Sequence, residues 1–74
     1  MNFNPWQQGP ATNMLTANQA AMIALQRVPG TVINVALTGE NSESFYEVKI
    51  VTAQGRFTVM VNPFTGTITK IRRG

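Results

Sequence analysis

The chain contains no cysteine and no histidine. Their absence excludes a disulfide, a thiolate nucleophile, a Cys/His zinc site and any serine activated by an imidazole. Aspartate is also absent, and the acidic residues are Glu40, Glu43 and Glu47. A calcium loop built from these and Asn41 lacks the spacing such loops need. Gly30, Gly39, Gly55 and Gly66 are too far apart for a phosphate-cradling G-x-G-x-x-G run and read as turn markers. Catalysis therefore fails by inventory, and the expectation is no catalytic residue, no metal and no cofactor.

Charge is sparse, at 12% of residues, with six Lys/Arg giving a net charge of +3. A nucleic-acid module carries a denser basic patch with interleaved aromatics, so no nucleic-acid partner is expected. Arg72 and Arg73 read as a soluble strand end. No apolar run approaches the ~20 residues that span a bilayer. No basic stretch followed by an apolar segment opens the sequence, so no secretory signal is visible. With 74 residues and neither disulfide nor metal, the chain makes one small domain with a modest core.

Residues 1–14 form an N-terminal tail rich in Asn, Gln, Pro and Gly. Pro5, Gly9 and Pro10 oppose regular structure, yet Phe3 and Trp6 are large apolar groups that a solvated leader does not need. Thr16-Ala17-Asn18-Gln19 fits a capping box, with Leu15 at the staple position. The helix should run from Ala17 to about Arg27, with Ala20, Ile23, Ala24 and Val28 on one face. Pro29 and Gly30 end it.

Beyond Gly30 the apolar period changes from helical to alternating. Strands are expected over residues 31–38, 44–52, 56–62 and 67–72. Ile33, Val35 and Leu37 share one face, as do Tyr46, Val48 and Ile50, and Phe57, Val59 and Val61. Asn62-Pro63-Phe64-Thr65-Gly66 carries strong turn chemistry. Short loops between such runs imply an antiparallel meander. The fold expected is α+β: one N-terminal helix packed on one face of a three- to four-stranded antiparallel meander sheet.

The pattern Ala20-x-x-Ile23-Ala24-Leu25-x-x-Val28-Pro29-Gly30, then Tyr46-Glu47-Val48-x-Ile50, then Val59-x-Val61-Asn62-x-x-Thr65-Gly66-x-Ile68 resembles the PepSY domain. That family takes its name from peptidase propeptides and a spore-germination protein. The resemblance makes residues 15–74 a PepSY-like domain and implies a non-catalytic binding module. Its implied partner is a protein, a metalloprotease or its precursor, and its implied location is extracellular or in the cell envelope. The family offers no single inhibitory residue to carry over. Its outer strand face is often acidic and its turn often begins with Asp, whereas here the turn begins with Asn62.

One helix covers one sheet face. The other is expected to carry Val32, Ala36, Phe45, Val51 and Met60, an apolar set that suggests an interface. Phe64, at a turn tip, either touches a partner or folds back on the sheet. With Phe3 and Trp6 these are the candidate partner-binding residues. Either the protein's own tail lies on that face, or another molecule does. The uncharged first strand adds a second route, self-assembly into an oligomer or filament through a free sheet edge. Glu47 is expected to pair with Arg56 or Lys49.

Overall fold

The computed structural model describes residues 14–40 and 43–74, the side chain of Glu40 excepted. One helix, α1 (Ala17–Arg27), precedes four strands: β1 (Thr31–Glu40), β2 (Glu43–Thr52), β3 (Gly55–Val61) and β4 (Ile68–Arg73). The strands pair antiparallel in sequence order, β1-β2-β3-β4. The α+β meander anticipated from the sequence is the fold observed.

Helix α1 begins where the capping box places it. The Gln19 amide donates to Thr16 Oγ1 at 3.1 Å, and the Thr16 amide donates to Gln19 Oε1 at 2.9 Å. Two of the four orphan donors at the helix start are thereby satisfied. At the other end Val28 leaves helical geometry with φ −128° and ψ 89°, as a residue before proline tends to do. Gly30 serves a different purpose from the turn expected. Its φ is not positive; instead it passes so close to β2 that a Cβ would collide with the Val51 carbonyl oxygen and lie 2.8 Å from Ile50 Cγ2.

The helix lies over β1, β2 and β3. Ala20 and Ala24 are its fully buried residues, and their small side chains let the backbone approach the sheet. Beneath them Val48, Ile50, Val59 and Val61 are fully buried, and Tyr46 nearly so. Ile23, Val28 and Leu15 pack at the margin of this core. Two long-range bonds pin the helix start to the sheet end. The Leu15 amide donates to the Pro63 carbonyl at 2.7 Å, and the Tyr46 hydroxyl donates to the Leu15 carbonyl at 2.8 Å.

The first strand departs from simple alternation. Its register passes from Val32↔Ile50 to Asn34↔Lys49, so Ile33 is an extra residue in a β-bulge. A bulge shifts the side-chain phase by one. Val32 therefore shares the helix face with Val35 and packs on the core, rather than lying on the outer face as the alternation suggested. Ile33, expected inside, is 49% exposed. Leu37 opposes Tyr46 and so faces the helix side, but it lies at the margin and stays half exposed.

The first hairpin is also tighter than expected. Glu40 pairs with Glu43, so the two glutamates close the hairpin and Gly39 sits within β1 opposite Ser44. At the second hairpin Thr52 pairs with Gly55, which has φ +130°.

Candidate functional site

The sheet face away from the helix has no second layer among the described residues. Register places Ala36, Glu47, Met60 and Lys70 in one row across it, and Asn34, Lys49, Thr58 and Arg72 in the next. Phe45 and Val51 lie on the same face of β2. Of the candidate partner-binding residues, the structure thus places Ala36, Phe45, Val51 and Met60 on one face, with Phe45 and Val51 toward opposite ends of β2 and Glu47 between Ala36 and Met60, and sends Val32 to the opposite side. Phe3 and Trp6 lie outside the described residues.

Exposure within the face is uneven. Thr58 is 1% exposed and Met60 8%, although no described element covers them. Both sit on β3, an inner strand of the sheet, between neighbours with long side chains. The Thr58 hydroxyl donates to the Gly74 carbonyl at 3.2 Å, so this buried polar group is satisfied. Arg72 reaches across β3 from β4 to Glu47 on β2, with Nη2 3.9 Å from Oε2. Glu47 was expected to pair with Arg56 or Lys49; both share its face, but the cation that comes within reach is Arg72, from across β3. An ion pair this exposed contributes only about 0–1 kcal/mol.

Arg73 points the other way. Its guanidinium carbon lies 5.2 Å from the Phe57 ring centroid, and its Nη2 donates to the Gln54 carbonyl at 2.6 Å. It covers the helix side of the sheet beyond the reach of α1. The paired arginines therefore do more than keep an edge soluble: they serve opposite faces. Alternation over residues 70–73, beyond the irregularity at Thr69, sets these opposite directions.

At one end of the outer face lies a cleft. Its larger part, about 540 Å³, is lined by Glu43, Phe45, Asn62, Phe64 and neighbouring hydroxyls, and it continues toward Met60 and Lys70. The β3–β4 turn forms its end wall. Asn62 Oδ1 accepts from the Phe64 amide at 2.8 Å and the Thr65 amide at 3.1 Å, and Gly66 takes φ +78°. This turn buries Pro63 and holds Phe64 outward, 55% exposed, so Phe64 does not fold back into the core. A second bulge helps to open the cleft. Register moves from Val61↔Ile68 to Met60↔Lys70, leaving Thr69 as the extra residue, and its hydroxyl donates to the Met60 carbonyl at 3.3 Å. Nothing in the sequence marked Thr69 or Glu43 as lining a site.

The remaining surface of note is the β1 edge. Its ten residues carry no proline, and no charge before Glu40. No helix among the described residues is long and apolar enough to cross a membrane.

No match was found among functionally curated proteins. Among solved structures the chain is similar to a candidate lipoprotein from Clostridium difficile 630, with a TM-score of 0.81 and 25% identity. The alignment covers 88% of this chain and 43% of that one, so this chain spans less than half of its neighbour's length. The family model described as the peptidase propeptide and YPEB domain matches residues 14–72. That span takes in the helix, the first three strands, the Asn62 turn and all of β4 but Arg73, and the chain belongs to the PepSY family.

Proposed function

We propose that this chain is a non-catalytic protein-binding module that regulates a peptidase, a metalloprotease or its precursor, outside the cell or in the cell envelope. The family match carries the reading, because the family is one of propeptide and regulatory domains. The similarity to a candidate lipoprotein supports the location. The surface offered to the partner is the outer sheet face with its cleft: Ala36, Phe45, Val51 and Phe64, with Met60 buried between its neighbours beneath them, joined by the β1 edge. Such an edge accepts an extended segment through main-chain bonds, and alternate side chains on the face beside it supply selectivity. The test is a titration of the intact chain against a thermolysin-type metallopeptidase. Saturable slowing with the chain uncleaved supports the reading. Absence of slowing at high excess, or slowing that tracks digestion of the chain, contradicts it.

A second reading, self-assembly into an oligomer or filament, is favoured by one observation. The exposed β1 edge is ten residues long and nearly free of the devices that block strand addition, apart from the bulge at Ile33. Molecular mass measured across a concentration series tests it. A monomer at the highest concentration rules it out.

A further inference from the structure

We infer that, while no partner is bound, residues 1–13 dock in cis, with Trp6 seated in the cleft between Phe45 and Phe64 on the outer sheet face, from which a partner displaces them. The first ground is where the described chain begins. Leu15 is hydrogen-bonded to Pro63, so the chain enters the helix directly beside the turn whose next residue, Phe64, lines the cleft. The helix itself occupies the opposite face. A segment arriving at this sheet end can pass to this cleft or to the hollow beside Ile23, Gly66 and Ile68, and of the two only the cleft presents aromatic rings.

The second ground is reach. Trp6 precedes Met14 by eight residues, which extend up to about 26 Å at 3.3 Å each. Phe64 adjoins the entry point, and Phe45 lies one strand spacing from Asn62, about 5 Å. The span is therefore ample, and Pro5, Gly9 and Pro10 permit the change of direction needed at the sheet end.

The third ground is chemical match. The cleft offers two phenylalanine rings, partners that favour another aromatic group in offset or edge-on contact. Glu43 at its rim is an acceptor suited to an indole N–H. Residues 1–13 carry no charged side chain, so the segment brings no ionised side chain to be desolvated. The short tether holds it at millimolar effective concentration, which favours the chain's own leader over that of a second copy.

Trp6 is the sole tryptophan, so intrinsic fluorescence reads this one contact. The experiment compares acrylamide quenching of the full chain with that of a free peptide of residues 1–13. At millimolar effective concentration even a millimolar intrinsic affinity gives half occupancy, so quenching should fall about twofold or more below the peptide's. Emission should shift to the blue and stay constant from micromolar to millimolar protein. Phe64→Ala removes an exposed ring and should leave the fold intact by circular dichroism while returning Trp6 to peptide-like quenching. Independently, Trp6→Ser should shift the Met60 methyl resonance. Peptide-like quenching in the wild-type chain overturns the inference. Protection that survives Phe64→Ala without a Met60 shift also overturns it, because Trp6 then sits elsewhere. Protection that grows with protein concentration overturns it in favour of a second copy.

Discussion

Gly30 and Asn62 show how single residues set the geometry on which the site depends. Gly30 brings the end of α1 against β2, and any side chain there meets the Val51 carbonyl. Gly30→Ala should therefore destabilise the domain by about 1–3 kcal/mol, read from urea denaturation. An effect near zero would mean that the helix–sheet junction yields freely. Asn62 holds the β3–β4 turn through one side-chain oxygen that accepts two amides. A carboxylate oxygen can do the same, so Asn62→Asp should be nearly neutral, while Asn62→Ala should cost about 1 kcal/mol. This explains how the chain keeps the turn without the Asp often found in the family. In the core, Ile50→Ala should cost about 2–5 kcal/mol, because the fully buried side chain has no room to be replaced by water. Turn chemistry and capping were legible residue by residue, since each rests on local hydrogen bonds. The roles of Gly30 and Arg73 were not, because both depend on contacts distant in sequence.

At the scale of elements, α1 was the most readable part. Its cap, its small-residue face and its Pro29 stop all come from short-range rules, and its bounds agree with the sequence reading. The strands were readable in number and order. Strand β1 misled in phase, because no residue type marks the bulge at Ile33 and a single extra residue inverts every assignment on one side of it. The consequence is testable by equilibrium denaturation. Val32→Lys places a cation among core neighbours and should cost roughly 2 kcal/mol or more, whereas Ile33→Lys, at a half-exposed bulge, should change stability by less than about 0.5 kcal/mol. The reverse order would restore the simple alternation. The same logic accounts for the cleft. It exists because the Asn62 turn holds Phe64 outward and because Thr69 interrupts the β3–β4 ladder, two features that alternation alone does not encode.

At the scale of the molecule, the decisive asymmetry among the described residues is between two sheet faces, one packed against α1 and the other without a second layer. A small core with no covalent cross-link has little stability to spare, and the face bearing Phe45, Val51 and Phe64, which no described element covers, is the contact surface we propose. In the proposed function the peptidase partner rests on the family membership, and the outer face is the proposed place of contact. The most direct measurement is the same metallopeptidase titration run with three chains: wild type, Ala36→Lys and Met22→Lys. Ala36 lies on the open face beside the β1 edge, while Met22 is an exposed residue of α1 on the opposite side of the sheet. The expected result is saturable slowing by the wild type, weakened about tenfold (~1.4 kcal/mol) by Ala36→Lys and left within about twofold by Met22→Lys. Slowing that is lost with Met22→Lys and unchanged with Ala36→Lys would contradict the account, since binding would then run through the helix rather than the open sheet.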